Sequence, residues 1–212
     1  GFISEHLTQQ SCLGRLLVTF EEFAQWKLER GRYELRDGVI IEMSQPLGGD
    51  EEVKGFLTTK IIFEYKRSNL PYFVRNQALV KPPDGELAYL PDILLLNRPN
   101  LVNERLWEKE STVILGASIP LVIEVVSTNW RVDYLTKVKD YEEIPSPEYW
   151  IPDYLGLGGR QFIGSPKQAT IFIHELVEGE CEVSYFRGDD RIISPTFSEL
   201  SLTANQIFQA GS

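Results

Sequence analysis

Apolar and polar positions change period several times along the 212-residue chain, and each change marks an element. Thr19, followed three residues later by Glu22, has the form of a capping box. Phe20, Phe23, Ala24 and Leu28 then recur at helical spacing until Gly31, which predicts a first helix. Residues 33–35 and 39–43 flank Arg36-Asp37-Gly38 and read as a β-hairpin with an Asp-Gly turn. A second helix follows the Gly48-Gly49 pair. Asp50 is its expected N-cap, Glu51 and Glu52 suit its electropositive start, and Val53, Phe56, Leu57, Ile61 and Tyr65 form one apolar face.

Beyond Asn69 the pattern predicts strands near 72–75 and 78–80, a Pro82-Pro83-Asp84-Gly85 turn, and a strongly apolar strand over 92–96. Residues 121–127 form the strongest strand. Leu121, Ile123 and Val125 point to one face and Val122 and Val126 to the other, as in a central strand covered on both sides. A helix over 134–143, stopped by Pro145 and Pro147, leads into another strand at 148–152, making a strand-helix-strand crossover. Residues 170–177 and 181–187 form a late hairpin, and 203–208 a short closing helix. The expected architecture is mixed α/β, with residues 1–18 as an N-terminal extension and 19–212 as one domain.

Composition narrows the function classes. A chain of this length buries roughly 70% of the surface its unfolded form exposes, so it needs no metal or disulfide merely to hold a core. No apolar run approaches the ~18 residues of a bilayer span. Cys12 and Cys181, with only His6 and His174 beside them, make neither a disulfide framework nor a zinc signature, and a reducing, cytoplasmic setting is expected. With 21 basic and 31 acidic residues the net charge is −10, the wrong sign for coating nucleic acid by bulk electrostatics. A bound divalent cation would still allow a phosphodiester to be engaged locally.

The residue out of place is Glu124, in the middle of Leu121-Val122-Ile123-Glu124-Val125-Val126, a segment that otherwise belongs in a dry core. A buried carboxylate is costly unless it is paired or bound to metal. Asp92 follows Pro91 at the start of another apolar strand. Two acidic side chains on neighbouring strands are able to hold a hard divalent cation through oxygen. No dinucleotide fingerprint, phosphate-cradling glycine loop or nucleophile elbow accompanies them.

Pro91-Asp92, Glu124 within its strand, Lys137 four residues before Tyr141, and Pro147-Glu148-Tyr149-Trp150-Ile151-Pro152-Asp153 together resemble the Uma-two family, a bacterial branch of the PD-(D/E)XK nuclease superfamily. The 33–38 hairpin and Glu42-Met43-Ser44 resemble its amino-terminal hallmark. The resemblance implies a restriction-endonuclease-like core, a central mixed sheet flanked by helices. It implies Asp92 and Glu124 as Mg²⁺ or Mn²⁺ ligands, with the Val125 backbone carbonyl as a third, and a lysine that orients or activates water. In the usual motif that lysine lies two residues after the acid, where this chain has Val126. The resemblance moves it to Lys137 on the following helix. Lys139 competes, because at ~100° per residue the two flank opposite margins of the apolar stripe and periodicity does not choose. At the start of the second helix, where many relatives carry histidine, stand Asp50, Glu51 and Glu52. Glu52 is a candidate early metal ligand, although capping alone accounts for acids there.

The expected function is a metal-dependent endonuclease acting on nucleic acid, DNA before RNA. Its rival is a binding module that keeps the fold without turnover. A homodimer is expected, because the edge of the late hairpin needs cover and such nucleases pair to cut two strands.

Overall fold

The computed structural model describes residues 17–27 and 31–212. Leu28 and nearly all of the expected 1–18 extension, with His6 and Cys12, lie outside the described residues. Helix α1 (Phe20–Lys27) begins as the capping box requires: the Glu22 amide donates to Thr19 Oγ1 and the Thr19 amide to Glu22 Oε1, both at 3.2 Å. Strands β1 (Tyr33–Arg36) and β2 (Val39–Glu42) pair antiparallel across Asp37 and Gly38, whose φ values of 50° and 78° are those a type I′ turn demands. A backbone bridge between Leu35 and Ala88 ties this hairpin to the body of the molecule.

Helix α2 (Gly48–Arg67) has Leu47 as its N-cap, three residues before the expected Asp50. Asp50 is the third residue inside it and caps from there, accepting the Leu47 amide at 3.3 Å. Its other oxygen accepts the Tyr154 hydroxyl at 2.6 Å. That contact needs Gly49, because a β-carbon there would fall 2.5 Å from the same hydroxyl oxygen. The inward face of α2 carries Val53, Leu57, Ile61 and Tyr65, as the spacing predicts.

Strands β3 (Tyr72–Val74), β4 (Leu79–Val80) and β5 (Ile93–Asn97) follow. The chain then makes a 3₁₀ segment (Arg98–Asn103) and the one-turn helix α3 (Trp107–Glu110) before β6 (Thr112–Val113), which pairs parallel with β4. These turns have no periodic signature. They are held by the Glu104 carboxylate, which accepts the Ile114 and Leu115 amides at 2.8 and 3.0 Å. Strand β7 (Leu121–Ile123) leads into a π-helical turn (Val132–Thr136) and helix α4 (Lys137–Glu143), and then β8 (Glu148–Asp153). After the one-turn helix α5 (Arg160–Ile163) come the hairpin β9 (Thr170–Val177) and β10 (Glu180–Phe186) and the closing helix α6 (Ala204–Ala210), capped by Thr203.

Six strands form the central sheet in the order β10-β9-β8-β7-β5-β3. Only β7 and β8 are parallel within it, joined by the crossover through α4; the other neighbours are antiparallel. The two-sided strand expected at 121–127 lies at the centre. Leu121, Ile123 and Val125 pack on one face with α2 and the C-terminal residues Leu202, Ala204 and Ile207. Val122 and Val126 pack on the other with Tyr134, Tyr141 and Tyr149. The first helix and hairpin add a third apolar cluster with Leu79, Ala88 and Leu90. The fold is the mixed α/β core with an amino-terminal helix and hairpin that the pattern implied, and among the described residues no helix is long and apolar enough to cross a membrane.

Leu57 is fully buried between α2 and the sheet. Leu57→Ala is expected to lower unfolding free energy by about 2–5 kcal/mol, read from the shift in urea midpoint. A loss under 1 kcal/mol would contradict the packing of α2 described here.

Candidate metal and nucleic-acid site

Where β7 and β5 run out side by side, two carboxylates emerge next to each other. Backbone pairing with β8 continues past Ile123: the Glu124 amide donates to the Trp150 carbonyl and the Val126 amide to the Pro152 carbonyl, both at 3.1 Å. Every second amide in this stretch therefore turns toward β8, and Val125 turns toward β5. Continuing the Ile93–Ile123 register by two residues on each strand sets Pro91 opposite Val125. Proline has no N–H to give, so the ladder stops here. The Val125 amide donates instead to Asp92 Oδ2 at 2.8 Å, and among the described residues no backbone amide donates to the Val125 carbonyl. Pro91 thus both ends the pairing and fixes the Asp92 carboxylate beside the 124–125 backbone.

Lys137 comes to the same place from the crossover. It is only 1% exposed, and its Nζ donates to Glu124 Oε2 at 2.5 Å and to Glu34 Oε1 at 3.1 Å, with the Tyr89 ring centroid 5.0 Å away. Tyr141, one helical turn on, donates to the other Glu124 oxygen at 3.5 Å. Lys139 is exposed. The choice that periodicity left open is decided by the π-helical turn before α4, which sets the phase of the helix as it enters the site; such turns recur at functional sites. Asp133, one turn before Lys137, is buried with it.

Two members of this cluster have no counterpart in the expectations. Glu34 is fully buried, although the alternation in Tyr33-Glu34-Leu35-Arg36 assigns it the face opposite Leu35, ordinarily the solvent side. It accepts from Lys137, from the Leu90 amide at 3.0 Å, and from Arg36 at 2.6 Å. Period-two alternation does not distinguish a solvated face from a second buried one, so only the docking of the hairpin reveals it. Asp133 falls just outside the expected helix and carried no signal of its own.

Asp92, Glu124, Val125, Asp133 and Lys137 line an open cleft of about 890 Å³ of empty space, bounded by Arg32 and Arg36 from the hairpin, residues 43–47 and Asp50. Glu52 is exposed and lies outside this lining. Two positions along a helix is ~200° of rotation, so Asp50 facing the cleft turns Glu52 away. His174 is elsewhere too, beside Cys181 with Sγ 3.4 Å from Nδ1, and burial lowers its pKa to about 4.

The electrostatics are unbalanced. Glu34, Asp92, Glu124 and Asp133 bring four carboxylates together, ion-paired only by Lys137 and Arg36 among the described residues, with Lys54 and Arg32 pulling on Asp92 from further off. Burial pushes Glu124 well above the ordinary range, and Asp92 and Glu34 push it further against the pull of Lys137. Asp92 is raised by burial, partly offset by Lys137 and the Val125 amide. Burial would lower Lys137, but the carboxylates on either side outweigh it and hold the ammonium charged. Burial also acts on Glu34, where Lys137 and Arg36 prevail and its carboxyl stays ionised. The residual negative charge suits a divalent cation, whose binding would lower these raised values. Among the described residues no three His, Cys, Asp or Glu side chains form a metal-binding group. A cation here would be held by Asp92 and Glu124 with a backbone oxygen, the remaining positions falling to water or substrate, a donor set of hard oxygens appropriate to Mg²⁺.

A family profile described as "Putative restriction endonuclease", that of Uma2, matches residues 20–205. The chain belongs to the Uma2 family. Its match begins at α1 and ends inside α6, so both hairpins and the whole central sheet are Uma2 features. No curated protein matches the chain. Among solved structures, one described as a putative nuclease belonging to DUF820 from Anabaena variabilis ATCC 29413 is similar, with a TM-score of 0.68 and 18% identity over 92% of this chain and 99% of that one. At that identity the likeness carries the fold alone. As a Uma2 protein the chain is nuclease-like, in a class that generally uses divalent metals.

Burial raises the Asp133 pKa to about 7, Lys137 pulling it back and Asp92 and Glu34 adding to the rise. A carboxyl that holds its proton more tightly folded than unfolded favours folding below about pH 4 and loses that contribution as pH rises toward 7. Asp133→Asn, which mimics the protonated acid, should therefore be more stable than wild type at pH 8 and indistinguishable from it near pH 4. Urea midpoints at the two pH values test this; equal differences at both would refute it.

Proposed function

We propose that the protein is a metal-dependent endonuclease that hydrolyses phosphodiester bonds in DNA. One observation carries the reading: Asp92, Glu124 and Lys137, drawn from two neighbouring strands and the crossover helix, meet at the floor of an open cleft. Asp92 and Glu124 are the side chains suited to hold Mg²⁺ or Mn²⁺, and the Val125 carbonyl, left without a strand donor by Pro91, is the backbone oxygen beside them. When bound, a divalent ion supplies positive charge at a phosphate and makes water a stronger acid. Lys137 presents ammonium hydrogens at the same point, able to orient a water or to hydrogen-bond a phosphoryl oxygen as charge builds on it. Arg32 and Arg36 offer charge to neighbouring phosphates from the cleft wall. The overall charge of −10 leaves affinity to these local groups.

A nuclease-fold module that binds without cleaving is the second reading, favoured by the nearly complete enclosure of Lys137 between two carboxylates. Purified wild type, Asp92→Ala, Glu124→Gln and Lys137→Ala assayed on supercoiled and single-stranded DNA with Mg²⁺ or Mn²⁺ separate the two. The nuclease reading expects wild-type cleavage, a loss of about 10²-fold or more in each variant, and Mn²⁺ binding by calorimetry abolished in Asp92→Ala. Absent cleavage with intact DNA binding selects the module.

Pairing into a homodimer belongs to the same proposal. β10 is an edge strand whose residues 180–185 are all exposed, Val183 and Tyr185 among them at 58% and 60%. An uncovered edge of this kind invites a second strand. Sedimentation is expected to give a dimer, weakened by Val183→Lys; a monomer at all concentrations would dispose of it. A cytoplasmic location agrees with such a substrate and with the free thiol of Cys181.

A further inference from the structure

Glu34 occupies a position that the hairpin alone does not account for. It lies 103 residues before Lys137 in sequence and is completely buried. Each of its oxygens is committed. Oε1 accepts the Lys137 ammonium at 3.1 Å and the Leu90 amide at 3.0 Å; Oε2 accepts Nε and Nη2 of Arg36 at 3.0 and 2.6 Å. Leu90 is two residues before Asp92, and Arg36 lines the cleft. One carboxylate therefore touches the lysine, the backbone leading to the first acid, and a cationic side chain of the cleft wall.

Lys137 has two carboxylate partners, and their prospects differ. Glu124, 4% exposed, lines the cleft, while Glu34 lies behind the lining residues. A cation held by Asp92 and Glu124 would draw on the Glu124 oxygens and repel the neighbouring ammonium, so the 2.5 Å contact between Lys137 and Glu124 would weaken if the site filled. A buried lysine that lost its only ion-pair partner would no longer be held in place. With Glu34 behind it, the ammonium keeps a partner while a hydrogen is freed toward the cleft.

We propose that Glu34 is a positioning residue for Lys137: it holds the ammonium at the cleft floor when a divalent cation claims Glu124, which makes the amino-terminal hairpin a working part of the site. The role rests on the nuclease reading above. It acts through Lys137 and Arg36, and Glu34 itself touches neither cation nor phosphate. Because Gln keeps the shape and can still accept the Leu90 amide, Glu34→Gln removes the charge that holds Lys137 with little change in packing. Glu34→Asp keeps the charge and withdraws it by one methylene.

Two readouts test this on the full chain, with thermal melting to show that each variant is folded. The first is reductive methylation of Lys137 mapped by mass spectrometry, with and without Ca²⁺, whose binding is followed by calorimetry. Wild-type Lys137 is expected to label slowly in both states, and Lys137 of Glu34→Gln to label several-fold faster once Ca²⁺ is bound. The second is single-turnover cleavage with Mn²⁺, where Glu34→Gln and Glu34→Asp should slow the step by about 10- to 100-fold while Mn²⁺ and DNA affinities stay within about threefold. If Glu34→Gln does not fold, Glu34→Asp carries both measurements with the same expected outcome. A wild type that binds no divalent cation or cleaves nothing overturns the nuclease reading and this role with it. A wild type that binds and cleaves, beside folded Glu34 variants that label and cleave as it does, overturns the positioning role alone.

Discussion

A charged ammonium held out of water at the end of a sheet is the constraint around which the rest of the site is arranged. Lys137 is buried, so its charge persists only because carboxylates face it from β7 and from β1. Among the described residues Glu124 has no other ion pair there, and Glu34 shares its charge between Lys137 and Arg36. The mutual dependence joins elements far apart in the chain: the crossover helix supplies the cation, the central strand one anion and the amino-terminal hairpin the other. Removing Lys137 would leave Glu124 a buried carboxylate with no ion pair, while Glu34 would keep Arg36.

The same arrangement leaves a deficit of positive charge. Four carboxylates share only two ion-pairing cations, Lys137 and Arg36, and burial lifts the proton affinity of Asp92, Glu124 and Asp133. A structure built only for stability would have little use for such a cluster, since apolar residues would fill the space at less cost. Its position at the floor of an open cleft, in a Uma2 chain, is what the proposed cation binding would draw on. Pro91 contributes by subtraction: it withholds the amide that would have satisfied Val125, ends the β5–β7 ladder, and leaves both Asp92 and a backbone carbonyl at the sheet's end. The edge of the ladder and the edge of the site are the same place.

Much of this was legible in the linear sequence because it is local or periodic. The two-faced pattern of residues 121–126 identified the central strand, and a glutamate inside it marked the candidate site. The Thr19–Glu22 box, the Asp37-Gly38 turn and the breaks at Pro145 and Pro147 marked the ends of elements, since capping, turn geometry and a missing amide act within a few residues of where they are written. Asp92 stood out for the same reason, at the start of an apolar run directly after proline. Asp50 was misassigned by three positions because a carboxylate can cap from inside the first turn as well as from the boundary.

What only the tertiary structure decided depends on distance through space. Lys137 and Lys139 are equivalent by periodicity; the π-helical turn and the depth of the cleft bury one and expose the other. Glu52 and Asp50 are equally acidic, and the docking of Tyr154 against α2 turns Asp50 toward the cleft and Glu52 to solvent. Glu34 reads as the solvated face of a hairpin until that hairpin is laid against Leu90 and the crossover helix. The sequence by itself determined the elements, the central strand and the acids at its end, because those follow from short-range sterics and the burial of apolar faces. Which charged groups share one buried volume was left to the packing, because Coulomb energies depend on separation and desolvation, and neither is encoded at fixed sequence spacing.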